Sequence, residues 1–221
     1  MNPILALTAL AVVAGAVVAV SSRDPRATIL GLAVVLIGSA VVAEPVPTPL
    51  GLATRFVGAI LAADLLWIVT RERPRSGVTG AVTEGSRIGW PAEMLVGIGA
   101  LVVGYAAHGL GAPALGPALA SAAGFAVAAV ALTATMTGRD VVRVGLGCLL
   151  LVDAGLLVRT ALGGTPGDFE QLISSATLVV LAGTLAALAA SARADGSGGF
   201  AFSLDRARRH REPDAHPLDA R

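Results

Sequence analysis

Seven apolar segments, each close to the length that crosses a membrane, dominate this sequence of 221 residues. A helix needs about 20 residues to span a hydrocarbon layer ~30 Å thick. Hydrophobic residues make up 55% of the chain and charged residues only 14%, against about 25% charged in soluble domains. We therefore predict an all-α fold, a polytopic membrane bundle of seven transmembrane helices. The predicted helices cover approximately 3–20, 28–43, 52–70, 90–107, 114–136, 141–158 and 172–192.

The arginines predict an orientation for this bundle. All sixteen basic residues are arginines, and fourteen lie in alternate loops and in the C-terminal tail if the N-terminus is outside. Only Arg55 and Arg159 lie towards the other side. Since arginine-rich loops stay in the cytoplasm, we predict the N-terminus outside and the C-terminus inside a bacterial plasma (inner) membrane. Six helices with one interfacial segment would break this alternation.

The chain is expected to have one membrane domain and one polar end. The transmembrane helical domain is predicted over residues 1–193, with the first apolar segment kept as a helix because no basic residue precedes it. Residues 194–221 are predicted to form a cytoplasmic polar tail. That tail is rich in glycine, arginine and aspartate, and it has too few apolar side chains to build a core of its own.

Several kinds of site are not expected. The single cysteine, Cys148, excludes an intramolecular disulfide and a cysteine metal cluster, and His108, His210 and His216 lie outside the centres of the apolar segments. There is no P-loop, no GxSxG and no HExxH. The net charge of +1 gives no indication of a nucleic-acid partner. We therefore expect no metal, no cofactor, no nucleic-acid partner and no catalytic residues within this chain.

Ionisable residues inside the apolar segments are the candidate functional residues, because charged groups in hydrocarbon are costly. Asp64 lies in the third segment, Glu93 near the start of the fourth and Asp153 near the middle of the sixth. Asp64 and Asp153 are candidates for a proton relay or an ion pair, and Arg55 is a possible partner for Asp153. The alternative is that each carboxyl group is neutral or paired with an arginine and only specifies packing. Glu93, close to an interface, fits this structural role best.

A resemblance begins at the sixth segment. Residues 138–143 read GRDVVR, and residues 147–154 read GCLLLVDA. This region resembles a helix of the membrane component E family of hydrogenase-4 and formate hydrogenlyase complexes, a relative of the K-type subunit of respiratory complex I. The loop 165–170, with a proline near carboxylates, and the tail 198–205 are similar too, so the specific match covers about 138–205. The basic residue in the family's third helix has a counterpart in Arg55.

The resemblance implies a non-catalytic membrane subunit that packs against antiporter-like subunits of an oxidoreductase and supports assembly or proton translocation. One departure concerns the acidic site. The family's intramembrane glutamate corresponds to Val152 and its neighbouring asparagine to Asp153, a rotation of about 100° on a helix. Either Asp153 replaces that glutamate or the acidic site is lost.

A second function class remains open from the residues alone. The chain could be a stand-alone small transporter or another kind of multi-pass membrane protein. Transporters often contain inverted repeats and broken helices, and we find no convincing repeat among the seven segments.

Overall fold

The computed structural model describes residues 3–22, 24–42, 47–71, 89–110, 114–138 and 141–194, and this part of the chain is entirely helical apart from the short connections. The helices are α1 (Pro3–Ser21), α2 (Pro25–Val41), α3 (Pro49–Arg71), α4 (Trp90–Ala106), α5 (Ala118–Thr137), α6 (Val141–Gly163) and α7 (Asp168–Ala194). Each predicted segment therefore coincides with one helix. The tail beyond Ala194 lies outside the described residues.

Local sequence sets the helix ends, which differ from the predicted ones by up to five residues. α2 begins earlier than predicted because the Asp24 side chain accepts a hydrogen bond from the backbone N–H of Arg26, and Pro25 occupies the first turn. α5 begins later because Pro117 is its N-cap residue. α6 continues to Gly163, and Gly164 then adopts a positive φ of 76°, as is common at a helix C-terminus.

Five of the helices, α1, α3, α5, α6 and α7, are long and apolar enough to cross a membrane. The other two, α2 and α4, are apolar but have 17 residues each, which corresponds to about 26 Å. The long apolar helices are consistent with a multi-pass membrane protein.

The bundle is organised around α5 and α6. α5 packs against α1, α4 and α6, whereas α3 packs against α2 and α7 at one side of the bundle. Small residues allow the closest approaches: a Cβ atom added to Gly31 would lie 2.6 Å from the carbonyl oxygen of Gly15. The backbones of α1 and α2 therefore meet at these two glycines, as small residues allow in membrane helix pairs.

Large apolar side chains are also exposed on the outer faces of the bundle. Among them are Leu10 of α1, Leu30 of α2, Leu95 of α4 and Val180 of α7, each more than 60% exposed. Large exposed apolar surfaces mark sites of contact with membranes or with other proteins. These faces are therefore suited to contact with lipid or with other membrane proteins.

Candidate functional site

Three polar side chains from three helices meet inside the bundle. Ser39 lies near the end of α2, Arg55 is the seventh residue of α3, and Asp153 lies at the middle of α6. All three are buried, and Asp153 has no exposed surface. We call Ser39, Arg55 and Asp153 the α6 cluster. It brings together two of the residues selected from the sequence, Arg55 and Asp153.

One carboxylate oxygen is the centre of the α6 cluster. The Nη2 atom of Arg55 lies 3.2 Å from Oδ1 of Asp153 and donates to the hydroxyl oxygen of Ser39 at 2.9 Å. The Ser39 hydroxyl lies 2.8 Å from the same Oδ1 atom. Since this hydroxyl has one hydrogen, it donates either to Asp153 or to the carbonyl of Leu36, 3.1 Å away. The second carboxylate oxygen, Oδ2, has no hydrogen-bond partner among the described residues.

A narrow cleft reaches the α6 cluster from one end of the bundle. We call this the Gly163 end, because α2 and α6 end there and α3 and α7 begin there. The cleft has room for about one water molecule. Its lining consists of Ser39, Ala40, Pro47, Arg55, Leu156, Leu157, Thr160, Pro166 and Gln171. Water can therefore approach the guanidinium group, while Asp153 lies outside this lining.

A second buried ion pair lies towards the opposite end of the bundle, the Val141 end, where α6 begins. Arg143 of α6 donates through Nη2 to Oε1 of Glu93 at 3.3 Å. Glu93 is in the first turn of α4 and has no exposed surface, and the Arg143 side chain is 11% exposed. Glu93 is therefore a paired interior residue rather than a group at a wet interface. The pair connects α4 to α6.

Apolar packing separates the two buried pairs along α6. Arg143 and Asp153 are ten residues apart, which corresponds to about 15 Å along the helix axis. The buried side chains Leu146, Leu149 and Leu150 lie in this interval. The two pairs are therefore separate sites along α6.

A third ion pair is at the surface of the Gly163 end. Arg159, near the end of α6, pairs with Glu170 in the first turn of α7, and the two side chains are about 40% exposed. Thr48 also donates to Asp168 at this end. Because exposed pairs contribute little to stability, these contacts mainly orient the start of α7.

Asp64 stands apart from the other candidates. It lies in α3, nine residues after Arg55, and its side chain is exposed. Nine residues correspond to about two and a half turns, so Asp64 and Arg55 lie on opposite faces of α3. Only Arg55 faces the core, so the structure does not bring Asp64 and Asp153 together.

Three polar residues that are buried or partly buried in the bundle are not evident from the sequence. Ser39 and Gln171 are uncharged residues in apolar helices, where serine is common and gives little signal. Arg143 is one of fourteen arginines on the predicted cytoplasmic side, and the sequence does not distinguish it from the others. A usable signal is nevertheless present, because a buried Glu93 requires a cationic or hydrogen-bonding partner, and Arg143 begins a neighbouring apolar segment.

The site has the chemistry of ion pairing and hydrogen bonding between a carboxylate, a guanidinium group and a hydroxyl group. Within the described ranges, no group of three histidine, cysteine, aspartate or glutamate side chains could hold a metal ion. Comparison with protein-family models, with curated proteins and with solved structures found no match to this chain.

Proposed function

We propose that this chain is a non-catalytic integral membrane subunit of a hydrogenase-4-like or complex I-like oxidoreductase. The observation that supports it most is the α6 cluster, because it places a carboxylate at the middle of the helix that carries the family resemblance. In this proposal Asp153 takes the place of the family's intramembrane glutamate and contributes to proton translocation. The protein lies in a bacterial plasma membrane.

The direction of the side chains on α6 supports this assignment of Asp153. Val152, which aligns with the family's glutamate, is partly buried and packs against the apolar core. Asp153, one residue further, is the position that reaches Arg55 of α3. Removing a carboxylate from water is costly without a partner, and Arg55 supplies that partner. A carboxylate at position 153 is therefore the one that this bundle can accommodate.

We propose seven spans with the N-terminus outside and the C-terminus inside. The two 17-residue helices can span if the bilayer thins locally around them. In this orientation the Gly163 end and its cleft face outwards, and the Glu93–Arg143 pair lies on the cytoplasmic side.

Reporter fusions test this topology. We expect cytoplasmic signals from a reporter at Gly80 and from one after Arg193, and an external signal from one near Gly111, because fourteen of sixteen arginines then lie inside. Paired reporters, one active only outside and one active only in the cytoplasm, provide the control at each position. An external signal at Gly80 would contradict the proposed orientation.

Purification in mild detergent tests the proposed membership of a complex. A tagged chain expressed in its native membrane should co-purify with larger membrane subunits of an oxidoreductase, identified by mass spectrometry. A variant lacking residues 206–221 is the matched control, and we expect it to retain those subunits because packing between helices holds them. Recovery of a lone chain that transports a solute in vesicles would instead favour the stand-alone transporter.

A further inference from the structure

The outer face of α3 carries a carboxylate in an apolar surface. Four large apolar side chains on this face are exposed. Asp64 lies among them, because its position follows the three- and four-residue spacing that places residues on one face of a helix. We call this set the α3 outer face; its members are Val57, Ile60, Leu61, Asp64 and Ile68. α3 lies at the side of the bundle, between α2 and α7, and among the described residues no other helix packs on this face.

The depth of Asp64 makes its position costly if the face meets only lipid. α3 has 23 residues, and the candidate span within it runs from Pro49 to Ile68. Asp64 is seven residues before Arg71, which corresponds to about 10 Å along the helix. An aspartate side chain is too short to follow the helix surface to water in the way that lysine and arginine do. Ionisable residues at such depths almost always face protein rather than lipid.

We infer that the α3 outer face is the docking surface for a transmembrane helix of another membrane subunit, and that this helix carries an arginine or a lysine opposite Asp64. Charge complementarity identifies this occupant. The apolar side chains of the α3 outer face match the apolar surface of a transmembrane helix, and the carboxylate of Asp64 requires a cationic partner. Among the described side chains, Arg55 is the arginine of α3, and it cannot supply this partner because it lies on the opposite face of the helix and is held in the α6 cluster. This inference rests on the proposed function, since it supposes that the chain has membrane partners.

Two variants at one position test the inference in native membranes. Asp64→Leu should reduce recovery of the co-purifying membrane subunit by about tenfold or more, since it leaves the partner's cation without its counter-charge. Asp64→Glu keeps the charge and should retain most of the recovery. Both variants should keep the wild-type yield and thermal stability of the tagged chain, because Asp64 has no partner within the described bundle.

A photo-crosslinking amino acid in place of Ile68 then identifies what contacts the face. The crosslinked peptide should come from a transmembrane segment that contains an arginine or a lysine. Replacing that basic residue by aspartate, together with Asp64→Arg, should restore recovery that either change alone removes.

The outcomes separate this inference from the proposed function. If the wild-type chain recovers no other membrane subunit, the proposed function fails. If it recovers one and Asp64→Leu recovers it equally well, the docking surface is wrong and the proposed function stands. Crosslinks only to lipid, to a second copy of this chain, or to a helix without a basic residue also overturn the inference.

Discussion

Arg55→Met and Asp153→Leu should each destabilise the protein severely as single variants, and far less when they are combined. Either single change leaves one charge of the α6 cluster buried without its partner, which typically costs about 3–5 kcal/mol. The double variant removes both charges. Replacing a buried pair by apolar side chains is often neutral or stabilising, so we expect its free energy of unfolding to lie within about 1 kcal/mol of the wild-type value.

The serine of the cluster has a second acceptor in the double variant. Its hydroxyl lies 3.1 Å from the carbonyl oxygen of Leu36, so loss of Asp153 does not leave the hydrogen without an acceptor. Ser39 therefore should not add a large penalty to the double variant.

Thermal unfolding in detergent measures these effects through the single cysteine. Cys148 is partly buried in α6, so a thiol-reactive fluorophore reports its exposure on unfolding. Arg159→Met is the matched control, because it removes the same chemical group from a pair about 40% exposed and should cost about 1 kcal/mol or less. If the double variant loses as much stability as the two single variants together, the proposed coupling is wrong.

The same double variant distinguishes a structural role from a proton-relay role. If the complex assembles and proton-coupled activity is lost, the Arg55–Asp153 pair acts in proton transfer as proposed. If both assembly and activity survive, the α6 cluster has only a structural role and stabilises the packing of α2, α3 and α6.

The number and order of the helices could be predicted from the sequence, because each apolar segment is long and is bounded by prolines, glycines or charges. Which face of each helix is turned towards the protein core could not be predicted from the sequence. In a soluble helix a polar face marks the solvent side, whereas lipid and protein core are both apolar. Asp64 and Asp153 are therefore equivalent candidates in the sequence, although the first is exposed and the second is fully buried.

The partners of the buried charges were only partly predictable for a related reason. Arg55 is a candidate in the sequence because an arginine inside an apolar segment is rare. Arg143 is two residues after the start of α6, where an arginine is also expected as an anchor at the cytoplasmic surface. Only the packing of α4 against the bundle shows that it pairs with Glu93.

Exchanging the charges of the second buried pair should restore stability that each single change removes. Glu93→Arg places two cations together, and Arg143→Glu places two carboxylates together, so each should destabilise the protein by about 3 kcal/mol or more. Both positions lie in the first turns of their helices, α4 and α6. A helix N-terminus favours an anion and disfavours a cation. The exchanged protein keeps one of each, and we therefore expect a stability close to wild type.

Unfolding followed at Cys148 measures the stability of the two single variants and of the exchanged protein. Thr133→Val in α5 is the control, because it removes only a hydrogen bond within one helix. A restored double variant would show that the charge pair itself holds α4 to α6. If the exchanged protein is as unstable as the single variants, the geometry around Glu93 accepts only a carboxylate. The close packing of α4 one turn from Glu93, where a Cβ atom added to Gly97 would lie 3.3 Å from Val130 of α5, would then be what prevents the longer arginine side chain from fitting.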